Sequence, residues 1–535
     1  MHNSLLQYLI LLSAAFLLIL LAKRLKIAYP IFLVLAGLGV SNLPGMPVIN
    51  IEPDLIFLIF LPPLLYEAAW WTSWNEFWKW KRPISLLAFG LVFLTSFVVA
   101  YTVSAFIPGF TLATGFLLGG IISPPDAIAA ASVLKTIRVP KRILTILEGE
   151  SLVNDASSLT VFRFALSTVM AGVFSLHEAS VSFVSVTIMG IVVGLVVAHV
   201  FYLIHRFLPT TASIDSAFSL ISPYVMYLGA EHFHYSGVMA VVSGGLFLSY
   251  RSHEIFTDGQ SRLQTINVWS TISIILNGLV FMMIGLGLPS IVAGLEGYSL
   301  MQASVYGLLV SALVIIIRMA WIYPATFIPR WLFKHVRDKE PHPGWKGPFI
   351  IGWAGMRGVV SLAAALSLPL TLENGQMLPE RNLIIYITFV VILVTLVFQG
   401  LTLPFIIKAL KIEEMDIAMP LEQQEAEIRV RLTEIALKRL DTEYKADLAN
   451  NSLLLAVKAE FESDLGHTKQ KLVCMECAEN GLRELVVYRR VIKDIYKVQR
   501  RELYQLRKHK LFSDEAIRKE EMQVDISELR ITTLQ

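Results

Sequence analysis

The first 410 residues are a succession of apolar runs separated by short polar breaks, and the last 125 are not. A helix needs about 20 apolar residues to cross a hydrocarbon core about 30 Å thick. On that measure the chain predicts thirteen spans, at 4–22, 28–43, 53–71, 84–107, 111–134, 143–172, 181–205, 213–231, 236–250, 265–289, 300–328, 348–370 and 382–408. The second and ninth are short for a full crossing. After residue 410 the pattern changes. In "RRELYQLRKHKLFSDEAIRKEEMQVDISELRI" apolar residues recur at three and four among charges, the period of a helix in water. Ser513 and Asp514 before "EAIRK" read as a helix start. The reading is an all-α polytopic membrane protein, with a membrane domain over 1–410 and a cytosolic helical domain over 411–535.

Two spans are interrupted. The fifth contains "GGIISPPDAIAAA", with Pro124 and Pro125 at mid-depth, and the twelfth contains "GWAGMRGVVSL", with Gly352, Gly355 and Gly358. Proline removes a helix N–H and glycine weakens the helix. Open backbone survives at that depth only where it faces protein or a wet cavity. The breaks fall fifth in spans 1–6 and fifth in spans 8–13. That spacing predicts two six-helix inverted repeats joined by span 7, with the broken helices crossing at mid-membrane beside a transport site.

Charge adds a direction. The odd-numbered loops hold 18 Lys and Arg, and the even loops hold one, Arg381. By the positive-inside rule the odd loops are cytoplasmic, the N-terminus is outside and the tail is inside. "WNEFWKW" after the third span reads as an interfacial aromatic belt. Of the 87 charged residues, 46 lie in the 125 residues of 411–535, so the tail is a separate water-exposed unit. The chain is 55% hydrophobic and 16% charged, with a mean hydropathy of +0.62. A net charge of +3 gives no argument for nucleic acid. The two cysteines, Cys474 and Cys477, exclude a disulfide framework; no second pair or His cluster accompanies them, so they read as helix positions rather than a metal site. The run Leu5 to Ala22 has "KRLK" after it and no basic residue before it, the reverse of a signal peptide, and reads as a retained span.

Against that background the ionisable residues inside spans stand out: Glu67, Asp126, Glu150, Asp155, Arg163, Arg318 and Arg357. Each costs at least ~2.5 kcal/mol at mid-bilayer, and such groups mark pathways. Span 6 carries "GESLVNDASS", Gly149 to Ser158. At about 100° per residue, with Glu150 at zero, Asn154 lies at about 40°, Ser158 at 80°, Ser151 at 100° and Asp155 at 140°. One arc thus presents two carboxylates, an amide and two hydroxyls, ligands suited to a hard cation. With no His or Cys among them, a soft transition metal is not expected. Asp126 follows Pro125 in the span 5 break, where freed carbonyls could complete a coordination shell. Glu67 is either a cavity-lining carboxylate or a solvated helix-end residue. Arg163, outside the arc, reads as structural, paired with another helix or reaching outward.

Glu150 reads as half of a buried ion pair, with Arg318 and Arg357 as the two available cations. Asp155 and Asp126 then have no basic partner. A carboxylate removed from water holds its proton to higher pH, and sodium competes for the same oxygens. One site that takes either a proton or a cation, inside a two-sided repeat, describes an antiporter.

The same residues carry a family resemblance. "FLPPLLYEA" in span 3, "SPPDA" in span 5, "GESLVNDA" in span 6 and "GMRG" in span 12 resemble the sodium/proton exchangers of bacteria and animals, the electroneutral branch of the monovalent cation:proton antiporters. The resemblance covers essentially all of 1–410. It implies a thirteen-helix fold, a homodimer and an elevator-like movement of a core domain. It implies that Asp155 is the main proton and cation carrier, that Asp126 and Ser151 complete the site, and that Asn154 steadies the broken halves. It implies that Glu67 lines the cytoplasmic approach, that Glu150 pairs with Arg318, and that Arg357 sits by the span 12 break. Pro125 stands where the family often has a small or β-branched residue, and its carbonyl remains available as a ligand. The tail resembles those of bacterial exchangers, which points to a bacterial plasma membrane. The expected partners are sodium, lithium or potassium, protons and lipid, with no resident cofactor and no enzymatic step. The competing readings are sodium-coupled uptake of an organic solute and an intramembrane aspartyl protease using Asp126 and Asp155. No Gly-x-Gly-Asp context supports the protease.

Overall fold

The computed structural model describes residues 2–41, 58–134, 137, 139–171, 176–256, 259–295, 297–340, 342–371, 377–378, 380–412, 421–476, 480–509 and 514–532. The end of the second expected span, the start of the third, Lys135, Arg138, Cys477 and Ser513 lie outside the described residues. The chain divides into two compact units, Met1–Asp416 and Ile417–Gln535.

The first unit is built from α1 (His2–Leu25), α2 (Tyr29–Ser41), α3 (Leu61–Trp71), α4 (Lys81–Phe106), α5 (Leu112–Ile122), α6 (Ala127–Leu134), α7 (Lys141–Ala171), α8 (Leu176–Phe207), α9 (Ala212–His232), α10 (Gly237–Tyr250), α11 (Gly259–Leu286), α12 (Leu300–Leu332), α13 (Lys346–Trp353), α14 (Val359–Leu366) and α15 (Arg381–Leu410). Among the described residues six segments are long and apolar enough to cross a membrane, and they include α4, α12 and α15 whole and the paired stretch Leu112–Leu134. The polar residues of α7 keep it below that threshold. It nevertheless runs unbroken for 31 residues, because nothing between Lys141 and Ala171 is a proline.

Apolar packing falls into two clusters. One gathers Leu33 of α2, Leu91 of α4, Leu117 of α5, Ile350 of α13 and Ile392 of α15, all fully buried. The other gathers Tyr66 of α3, Ala198 of α8, Met226 of α9 and Val241 of α10. Helix α7 serves both: Ile146 and Phe162 belong to the first cluster, Leu152 and Ala156 to the second. The helix with the densest buried polar residues therefore lies on the seam between two cores.

Two helices carry a π-turn, at Leu86–Leu91 in α4 and at Thr395–Gln399 in α15. The wider turn loosens the i to i−4 ladder and frees polar atoms for other partners. Thr395 uses that freedom in the site below.

The second unit is helical, with α16 (Leu421–Thr442), α17 (Ser452–Glu476), α18 (Asn480–Lys508) and α19 (Asp514–Thr532). Lys469 pairs with Glu434 and Lys458 with Asp441, each at 2.7 Å, tying α16 to α17. Arg500 ties α18 to α19 through Asp525 at 2.5 Å.

Candidate ion-binding site

Both interruptions expected from the sequence are present. Pro124 and Pro125 lack the N–H groups that would continue α5, and the chain is non-helical until α6 begins at Ala127. Between α13 and α14 the segment 354–358 is likewise non-helical. The two segments cross and bond to each other. The Asp126 N–H donates to the Met356 carbonyl at 2.6 Å. Arg357, fully buried, donates through Nε to the Ile122 carbonyl at 3.1 Å and through a second nitrogen to the Gly355 carbonyl. Its backbone N–H donates to the Thr395 hydroxyl at 3.0 Å, where α15 is widened. Gly358 is required at the crossing, because a Cβ there would fall on the Asp126 carboxylate.

Helix α7 supports the crossing from one side. The Asn154 amide donates to the Pro125 carbonyl at 3.0 Å, and the Ala127 N–H donates to the Ser151 hydroxyl at 3.1 Å. Asp126 Oδ1 accepts from the Ile128 N–H at 2.8 Å, while its Oδ2 is buried with no partner among the described residues. Asp155 is 6% exposed.

These groups line a cavity of about 350 Å³. Glu67, Asp126, Glu148 and Asp155 all reach it, and among its described lining residues there is no Lys, Arg or His. Four carboxylates lining one cavity create a potential that draws positive ions. Ser151 and Pro125 line it as well. Glu67 is placed on the cavity wall. Ser273 of α11 donates to Glu67 Oε2 at 2.7 Å and accepts from the Asn277 amide at 3.1 Å. Asn277 Oδ1 is buried without a partner among the described residues.

The polar arc of α7 is divided rather than shared. Ser151 and Asp155 face the cavity, Asn154 faces the break, and Glu150 turns to α12. Ser158 bonds the Asp155 carbonyl of its own helix at 3.1 Å and is not a cavity residue. Glu150 meets Arg318, Nη1 to Oε1 at 2.5 Å and Nη2 to Oε2 at 2.8 Å, both side chains 0% exposed. Arg318 also donates to the Gly352 carbonyl at 3.1 Å and twice to the Ile351 carbonyl, at 3.0 and 3.3 Å. Arg357, the other available cation, is spent on the breaks. Arg163 pairs with Glu231 of α9 at 2.7 Å, partly exposed.

Sequence reasoning passed over Glu148, Ser273, Asn277 and Glu231. Glu148 had a signal: the same wheel puts it at about 160°, beside Asp155. Ser273 and Asn277 also had one, as two polar residues four apart in an apolar run.

The transmembrane sodium/hydrogen exchanger family model matches residues 11–409. The sodium, potassium, lithium and rubidium/H(+) antiporter of Bacillus pumilus is 32% identical over 83% of this chain, and the chain spans 66% of that relative's length. The low-affinity Na(+)/H(+) antiporter NhaS1 of Synechocystis is 31% identical over 76% of this chain and 74% of its own. The solved sodium proton antiporter MjNhaP1 of Methanocaldococcus jannaschii shares the fold, with a TM-score of 0.60 at 19% identity over 77% of this chain and all of that one. With the family model spanning nearly the whole first unit, this chain belongs to the sodium/hydrogen exchanger family.

Proposed function

We propose that the chain is a secondary antiporter that exchanges sodium, or lithium or potassium, for protons across the plasma membrane, one cation for one proton. The observation that carries this reading is the cavity where the two broken helices meet, in which Asp126 and Asp155 stand together with the Ser151 hydroxyl. Asp155 is the carrier. Asp126 and the Ser151 hydroxyl join it, with the Pro125 carbonyl at the edge. Asn154 holds that carbonyl, Glu67 forms the cytoplasmic approach, and Ser273 with Asn277 positions Glu67. Glu150 and Arg318 serve structure, and Arg357 holds the breaks. Thirteen crossings in two inverted six-helix repeats, N-terminus outside and tail inside, complete the arrangement. The homodimer rests on the family resemblance alone.

The stoichiometry follows from the charges. Glu150 is engaged by Arg318 and stands apart from the cavity. Asp126 and Asp155 share one cavity and act as one coupled site. A bound cation then displaces one proton, and the loaded carrier has the same charge in both directions. An organic-solute carrier is disfavoured because both buried arginines that could anchor a solute carboxylate are already engaged.

The test is sodium-driven proton flux in proteoliposomes. Asp155→Asn is expected to abolish it while folded protein remains in the membrane, since the change keeps volume and removes the titrating oxygen. Undiminished flux in that variant overturns the assignment.

A further inference from the structure

A second cavity, of about 390 Å³, does not contain the carboxylates. Its floor is apolar, with Leu87 of α4, Ile146 of α7, Ile322 of α12 and Ile351 of α13. Its rim is cationic, with Arg82, Arg142, Lys346 and Lys411, and no Asp or Glu is among its described lining residues. Arg82 is also paired outside the cavity: it grips both oxygens of Glu340, at 3.0 and 2.5 Å. Arg142 is held flat against Trp80, 4.2 Å from the ring centroid.

The depth of this cavity is also legible. Helix α12 ends in Trp331, 83% exposed, followed by exposed Leu332 and Phe333. Large exposed aromatics flanked by Arg330 and Lys334 sit at the membrane–water boundary. Thr326, at the rim, is five residues from Trp331, about 8 Å along the helix. The mouth therefore opens at the level of lipid headgroups, and on the side where the loops are basic. A soluble anion would satisfy the rim and leave the floor wet. An amphiphile with a phosphate above an acyl chain satisfies both, and basic pockets between helices on that side suit acidic lipids.

We propose that this cavity binds an acidic phospholipid, its phosphate held by Arg142, Lys346 and Lys411 and the start of its acyl chain on the isoleucine floor. The lipid bridges α7 and α13. Helix α7 carries Asp155, and Ile351 of α13 gives its carbonyl to Arg318. An occupant therefore braces α7, which carries Glu150 of the buried ion pair, against α13, whose carbonyl holds the Arg318 of that pair. The inference stands whichever solute the carboxylate cavity carries.

The test uses the full chain in mild detergent, supplied with phosphatidylglycerol or phosphatidylcholine, with retained lipid counted by native mass spectrometry. The wild type is expected to retain phosphatidylglycerol in preference. Lys346→Gln with Lys411→Gln is expected to weaken retention about thirtyfold, roughly fivefold for each basic residue. Lys346→Arg with Lys411→Arg restores it, which separates charge from misfolding. Equal retention of the two lipids by the wild type, or unchanged retention in the double Gln variant, overturns the proposal. So does full displacement of phosphatidylglycerol by millimolar glycerol 3-phosphate, which would make the site one for a headgroup alone.

Discussion

Replacing Glu150 with Gln tests the buried pair most directly. The change keeps side-chain shape and removes one charge. Two charge-assisted hydrogen bonds, at 2.5 and 2.8 Å, are lost or reversed. At ~1.5–3 kcal/mol each, they amount to about 3–6 kcal/mol. The independent figure for breaking one side of a buried pair is ~3–5 kcal/mol, so the two routes agree. Arg318 would keep only the Ile351 and Gly352 carbonyls. Removing both charges, as Glu150→Met with Arg318→Met, leaves no unpaired ion. It leaves those carbonyls without a donor, at ~1–3 kcal/mol. The double variant should therefore be more stable than the sum of the singles by at least ~2 kcal/mol. The assay is graded-SDS unfolding of purified protein for wild type, both singles and the double. A coupling below ~0.5 kcal/mol, or an Asp155→Asn variant less stable than Glu150→Gln, refutes the structural role.

Gly358→Ala should abolish exchange while Gly347→Ala, which meets open space, leaves it unchanged; equal rates for the two in proteoliposomes would remove the close approach from the mechanism. One-for-one exchange should be indifferent to an imposed potassium diffusion potential, because a net charge would feel ~2.3 kcal/mol per 100 mV; a rate or end-point that follows the voltage refutes it. In the loop after α10, hydrogen bonds from Tyr202 and Arg251, with the nearby Arg206, hold the Glu254 carboxyl down at about 2 instead of 4.5. Its stabilisation is complete above its unfolded value near 4.5 and is lost as pH falls toward 2. The stability gap between wild type and Glu254→Gln should thus be flat from pH 8 to about 5 and close below that; a gap that closes between pH 8 and 6 contradicts it.

The breaks were legible because proline and glycine act locally. Pro124–Pro125 end a helix wherever the sequence places them, so the interruption and the carboxylate beside it could be read directly. The wheel located Asp155 and Ser151 for the same reason: a helix fixes angles within itself. It could not say which neighbour each angle meets. Glu150, Asn154 and Asp155 fall within about 140° yet face α12, the α5–α6 break and the cavity. Choosing Arg318 over Arg357 needed tertiary distances, since each lies more than 160 positions from Glu150. Ser273 and Asn277 were missed because serine and asparagine are tolerated on many helices, and only the nearness of Glu67 gives them meaning. The basic cavity was invisible, since its rim comes from residues as far apart as Arg82 and Lys411.

The crossing can also be described as a pair of opposed dipoles. Helices α5 and α13 end at it, and α6 and α14 begin at it. A helix carries about half a negative charge at its C-terminal end and half a positive charge at its N-terminal end. Arg357 occupies the two negative ends, through the Ile122 and Gly355 carbonyls. Asp126 occupies the positive ends, accepting from Ile128 and packed against Gly358. The strongest ready-made cation seat, the facing carbonyl ends, is thus filled by a permanent cation of the protein. In the antiport proposed above, an incoming ion is neutralised by ionisable carboxylates instead, and these give up a proton to receive it. A crossing with open carbonyl ends could pass a cation alone, as a leak. On the proposed mechanism, Arg357 in that seat ties cation entry to proton loss.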